Sequence, residues 1–179
     1  MTTRTNNQAS EQAAEQYSSI VRMVAALQCD YDRLTELKDE REELNDTLNH
    51  TEQDSAEREL ARAELRRWET ENAKELAELE DAANGCEDED EARQIISEDP
   101  LSVEVRSGWS SPGEELEASE FCILLCTGGP AARIVGELRD GEPCRAWLEY
   151  QDWGTHWTQW FNASSTTLCE YASNFFYGE

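Results

Sequence analysis

Between Cys29 and Leu48 the sequence reads CDYDRLTELKDEREELNDTL, and the spacing of its leucines restricts what the chain can fold into. Leu34, Leu37, Leu44 and Leu48 follow at steps of three, seven and four, which puts them on one helical face. Asp32, Glu36, Asp39, Glu43 and Asp46 follow at steps of four, three, four and three. Each acid from Glu36 onward comes two residues after a seam position, and two residues are about 200° of helical rotation. The acids therefore line the face opposite the leucines. Like charges at these spacings cost roughly a few tenths of a kcal/mol per pair. Of the positions three or four residues from any of the five acids, only Arg33 is basic. The helix carries a line of carboxylates about 21 Å long, at about 1.5 Å per residue, with little to neutralise it.

That excess is general. The chain of 179 residues has 40 acidic and 15 Lys or Arg residues, a formal net charge of −25. Residues 1–99 hold −17 of it and residues 100–179 hold −8, so the charge is not confined to one tail. Such a surface repels nucleic acid and anionic membranes and steers toward basic protein partners. At 38% hydrophobic residues the chain is lean for one large core, and it suits long amphipathic helices joined to a small globular domain. The first ten residues, MTTRTNNQAS, have no apolar core and predict no signal peptide, and no run of 18 apolar residues predicts a membrane span. Six scattered cysteines without a Cys-x-x-Cys pattern predict reduced thiols in a cytoplasmic protein. Cys122 and Cys126 share a strand face, but four residues at roughly 3.3 Å each hold them too far apart for one metal. Only His50 and His156 could add imidazole, so neither a metal site nor a cofactor is expected.

Residues 1–8 read as a disordered tail. Ile20, Val24, Leu27, Tyr31 and Leu34 step by four, three, four and three, a heptad seam that predicts one helix over about 9–49, near 60 Å long. Asp54-Ser-Ala-Glu57 resembles a capping box and Asn84-Gly85 a C-cap, which bound a second helix over about 55–83. Glu57, Glu64, Glu71 and Glu78 recur every seventh residue as a second acidic line, partly offset by Arg67 and Lys74. Residues 9–84 are thus expected to form a helical hairpin or coiled coil, within one chain or in a homodimer. A continuous helix through position 50 is the alternative. Residues 85–99, opening with Cys86-Glu-Asp-Glu-Asp-Glu91, read as an acidic linker or a short helix.

From residue 100 the period changes from helical to alternating. Leu101–Val105, Phe121–Cys126, Ala132–Leu138 and Ala146–Tyr150 read as strands, with Asp140-Gly141 as a hairpin turn. Leu168, Tyr171, Ala172 and Phe175 share a helical face over residues 165–176. The expected fold class is α+β: a long helical hairpin, then residues 100–179 as a four-stranded antiparallel sheet with a C-terminal helix. Ten of the fifteen aromatics fall in the last 33 positions. Most must fill the core, but Trp153, Trp157 and Trp160 lie in a polar, Gly-containing stretch. They are the candidate aromatic contact for a protein partner. With four arginines after residue 100, stacking on nucleic acid is rejected. Gly128-Gly129 is followed by Pro and a strand, not by the helix a phosphate cradle requires, and no catalytic set emerges.

The strings LSVEVRSGW, EFCILLCTGGPAARIVGEL and RAWLEYQDWGT resemble a small domain of phage and other mobile-element proteins, over roughly residues 100–157. In kind the chain is similar to small acidic proteins directed against CRISPR-Cas or restriction systems. That resemblance implies a non-enzymatic inhibitor acting in the cytoplasm of a host cell. Its partner would be a basic, nucleic-acid-binding defence complex, met through carboxylates in place of phosphates. The candidate contacts are Asp32, Glu36, Asp39, Glu43 and Asp46, then Glu57, Glu64, Glu71 and Glu78. The competing expectation is a coiled-coil dimeric adaptor that binds through Trp153, Trp157 and Trp160.

Overall fold

The computed structural model describes residues 5–53, 55–113 and 116–178, with side chains described from Gln8 onward. The fold is α+β: five helices and a five-stranded antiparallel sheet among these residues. The chain forms two compact units. One takes the described residues up to Val24 together with Ala92 onward; the other is Ala25–Glu91.

The single helix expected over 9–49 is two helices, α1 (Thr5–Leu27) and α2 (Tyr31–His50). Asp30 ends the continuity: its side chain accepts the Arg33 N–H at 3.0 Å and caps α2. The heptad phase runs through this break, because Leu27 and Tyr31 keep a step of four, and so hides it from periodicity. The expected disordered tail is also corrected in part, since residues 5–8 are helical and residues 1–4 lie outside the described residues.

In the unit Ala25–Glu91, α2 packs on α3 (Ala56–Ala83). The capping role expected of Asp54 lies outside the described residues; Ser55 is the N-cap, accepting the Arg58 N–H at 3.1 Å. Asn84, at φ 51°, closes α3 in the left-handed region as expected. The helices are antiparallel within one chain. Arg33 bonds Glu75, Trp68 bonds Glu40, and the Cys29 thiol meets the Leu79 carbonyl, pairs whose residue numbers all total 108. Leu34, Leu37, Leu76 and Ala83 form the core, flanked by Cys29, Tyr31, Trp68 and Leu79. The four core residues lie in the half of the hairpin away from the connecting turn, and Trp68 lies near its middle. Near the turn Ala61 is buried but Leu44 and Leu48 are only half-buried and Leu60 is exposed, so apolar packing thins toward the tip.

The acidic run at 87–91 opens a helix, the second of the two expected forms. α4 (Glu89–Glu98) begins where Asp88 accepts the Glu91 N–H at 2.8 Å and Glu91 reaches back to the Glu87 N–H at 2.7 Å, a reciprocal cap.

In the other unit, β1 (Ser102–Ser107), β2 (Ala118–Cys126), β3 (Ala131–Arg139), β4 (Glu142–Gln151) and β5 (Thr158–Trp160) follow one another as an antiparallel meander. The expected sheet of four strands gains β5, whose three residues are too short for an alternation signal. Asp140 and Gly141, at φ 53° and 82°, make the β3–β4 turn, which demands two left-handed residues in a row. One sheet face is covered. It holds Phe121, Ile123, Ala132, Ile134, Ala146 and Leu148, all buried. α5 (Ser165–Ala172) lies against β4 and buries Leu168, Tyr171 and Ala172. Gly136 is also buried on this face, and a Cβ there would collide with the Phe121 ring and the Arg145 carbonyl.

α1 completes this unit. Ala9, Ala13, Tyr17, Ile20 and Val24 step by four, four, three and four, and all but Tyr17 are buried. The Tyr17 ring lies 5.4 Å from that of Trp160, and its hydroxyl accepts the Ser164 N–H at 2.9 Å, at the cap of α5. The domain expected over 100–179 therefore differs from the compact unit, which needs α1 as well as residues from Ala92 onward.

Tyr171 gives the core a pH signature. Its hydroxyl donates to Asp99 at 2.6 Å, and burial, with that bond second, pushes its ionisation far above the ordinary range. Below about pH 10 both the folded and the unfolded states keep the phenol protonated, so its contribution to stability is complete there. Above that, the unfolded chain loses the proton and the folded chain does not, and stability falls by about 1.4 kcal/mol per pH unit. Tyr171→Phe should make the alkaline loss of stability shallower by about that slope in urea titrations from about pH 9 to 11. Equal slopes in the two proteins would show that Tyr171 ionises alike in both states.

Candidate functional site

The acidic hairpin is built from the helical positions that packing leaves free. With Leu34 and Leu37 turned toward α3, helical rotation sends Asp32, Glu36, Asp39, Glu43 and Asp46 outward, and all five are exposed. Among the described residues Glu36 is the one of these five in an ion pair, with Arg33 at 3.2 Å. Arg33 is shared: its Nε and Nη2 also donate to the two carboxylate oxygens of Glu75, at 2.9 and 3.1 Å. Those hydrogen bonds hold the Glu75 carboxyl below its ordinary range. On α3, Glu57, Glu64, Glu71 and Glu78 are exposed too, but Glu71 pairs with Arg67 at 3.0 Å and Glu78 with Lys74 at 3.3 Å. The α2 line is thus the less neutralised of the two. The whole unit Ala25–Glu91 has 24 acidic and 8 basic residues, a formal −16.

Each of the three tryptophans meets a different neighbour. Trp153 is 79% exposed, and its indole N–H donates to the Gly128 carbonyl at 2.7 Å. Its ring lies where a Cβ of Gly129 would be, so glycine is required there. Trp157 is half-buried under Arg133, whose guanidinium carbon sits 4.1 Å from the ring centre. Trp160 packs on Tyr17 on the covered side. Sequence reasoning missed Trp109, which is fully exposed after β1.

It also missed the open face of the sheet. β3 reads Arg133-x-Val135-x-Glu137 and β4 reads Arg145-x-Trp147-x-Glu149. The register sets Arg133 opposite Glu149, Val135 opposite Trp147, and Glu137 opposite Arg145. Two reciprocal cross-strand ion pairs therefore bracket a Val–Trp contact, at 2.7 Å for Arg133–Glu149 and 3.4 Å for Arg145–Glu137. The matched spacing of the two motifs was a signal in the sequence, but the Asp140-Gly141 turn alone would set Arg133 opposite Leu148, and a register shift between Glu137 and Leu138 brings the charged pairs together. The Glu149 carboxylate is used on both sides: one oxygen takes Arg133 and the other takes the Trp147 indole at 3.1 Å. Arg106 pairs with Glu120 on the same face. Glu104, Arg106, Glu120, Cys122, Arg133 and Glu149 line a shallow groove of about 380 Å³.

Both arginines of the groove are paired. Burial pushes the Cys122 thiol up, which disfavours the thiolate needed for nucleophilic work. A register shift sets Cys126 opposite Ala132 while Cys122 lies opposite Val135, so the two cysteines do not share a face as the uninterrupted strand suggested. Among the described residues no cluster of three or more His, Cys, Asp or Glu is arranged to hold a metal, and no helix is long and apolar enough to cross a membrane.

Fold and surface define a class: an acidic antiparallel helical hairpin inserted into an antiparallel α+β sheet unit. Compared with known proteins, the chain matches no family model, no curated protein and no solved structure.

Proposed function

We propose that the chain is a non-enzymatic inhibitor that occupies the basic groove of a nucleic-acid-binding protein through its helical hairpin. The observation that carries this reading is the α2 line, five exposed carboxylates of which one has an ion pair among the described residues. Same-face helix positions put Cβ atoms about 5–6 Å apart, and the line of about 21 Å spans some six base-pair steps of about 3.4 Å. A Lys/Arg groove shaped for phosphates meets charges spaced comparably to the phosphates along one strand. The target implied by the sequence resemblance is a CRISPR-Cas or restriction complex in the cytoplasm of a host cell, with the inhibitor supplied by a mobile element.

A second reading has its own support. Trp109 and Trp153 are exposed on a unit of lower charge density, as in an adaptor that meets a protein partner through aromatic anchors.

The test is capture from a host expressing such complexes, followed by competition. Under the first reading the captured protein is displaced by its own DNA or RNA, and its binding weakens steeply with salt, because exposed charges are screened over about 10 Å at 0.1 M. A partner held equally well in high salt and in excess nucleic acid would overturn the first reading and favour the second.

A further inference from the structure

β1 is an outer strand, hydrogen-bonded to β2 on one side only. Native proteins blunt such edges with Lys, with Pro, with β-bulges or by keeping them very short. The opposite edge, β5, has three residues, whereas β1 has six, contains neither Lys nor Pro, and stays regular from Ser102 to Arg106, with its register shift confined to the end at Arg106/Ser107. Three large apolar side chains lie exposed along this segment: Leu101 at 60%, Val105 at 49% and Trp109 at 107%. In a chain of net charge −25, β1 is also formally neutral, with Glu104 and Arg106 on either side of Val105.

We propose that β1 pairs antiparallel with β1 of a second copy of this chain, which joins two five-stranded sheets edge to edge. The sequence sets the register. A two-fold axis through Val105 puts it against the partner's Val105, sets Glu104 opposite the partner's Arg106, and sets Arg106 opposite the partner's Glu104. Other registers lose this match. An axis on Glu104 or Arg106 opposes like charges, which destabilises a strand pair. An axis on Val103 sets Glu104 opposite Ser102 and forms no ion pair. An axis between residues turns charged side chains toward apolar ones on the wrong face. Glu104 has no ion pair within its own chain among the described residues, so its partner is still to be supplied. The neutrality of β1 makes it a place where two strongly acidic copies can approach.

The test uses the full chain. Light scattering from micromolar to submillimolar concentration should show twice the monomer mass. Glu104→Arg, which opposes the partner's Arg106, should weaken the dimer about tenfold or more while circular dichroism stays unchanged. Val105→Cys lies on the axis and should form an interchain V105C–V105C disulfide, identified at peptide level by mass spectrometry, whereas Val103→Cys should not. A wild-type chain that stays monomeric throughout would overturn the proposal. So would a dimer indifferent to Glu104→Arg that forms no V105C–V105C link, because its interface would lie elsewhere.

Discussion

A fragment of residues 92–179 loses cooperative folding, and adding residues 1–27 as a separate peptide restores it. Ala9, Ala13 and Ile20 are each at most 1% exposed, and Tyr17 bridges Trp160 and the N–H of Ser164. Removing a buried Ile side chain alone costs about 2–5 kcal/mol, against a typical total of about 5–15 kcal/mol for a whole domain. Without α1, the fragment exposes Trp160 and leaves its covered face incomplete. Its amide spectrum should collapse in dispersion and it should bind a hydrophobic dye. Peptide addition should restore both, with a shift in tryptophan emission. A well-dispersed fragment with an unchanged melting temperature would show that the sheet and α5 make a sufficient core.

Replacing Glu36 and Glu43 by Gln and Asp39 and Asp46 by Asn abolishes capture of the basic partner and leaves the fold intact. All four side chains are exposed and lie opposite the Leu34–Leu37 face, so nothing buried is touched. Relief of like-charge repulsion is worth roughly a few tenths of a kcal/mol per pair and should raise thermal stability slightly. If each lost carboxylate engages one basic group for about 1 kcal/mol, affinity falls by about a thousandfold. The salt dependence of the remaining binding should flatten as well. Retained capture and retained inhibition in a plaque or plasmid-transfer assay would end the phosphate-replacement reading. Trp153→Ala is then the informative variant, because Trp153 is exposed. Trp157→Ala is less clean, since it also removes the support of Arg133.

The parts legible in the sequence were those with a local cause. Asn84-Gly85 ends a helix because a left-handed residue must sit there, and Asp140-Gly141 makes a hairpin for the same reason. The α2 acids point outward because the leucine spacing leaves them no other face. What escaped depended on tertiary partners. The break at residues 28–30 is invisible to periodicity, because the apolar phase survives it while the two helices bury their stripes in different units. Tyr17 reads as an ordinary seam-flanking residue until Trp160 is placed beside it. The open sheet face was missed because Phe121-Cys-Ile-Leu-Leu-Cys126 looks apolar on both sides, and the polarity of that face comes from β3 and β4.

Chain order gives the hairpin a further property. Ala25–Glu91 begins and ends within a sequence that otherwise belongs to the sheet unit, so it is an excursion from that unit and not an appendage. Its two helices run antiparallel about one turn, in a register that every cross-helix bond shares. Seven residues added to α2 and seven to α3, on either side of the turn, would preserve that register and lengthen the rod by about 10 Å. No strand of the sheet would be altered. The reach of the acidic surface is in this sense a ruler, graduated in paired heptads, whose length can vary independently of the fold that holds it.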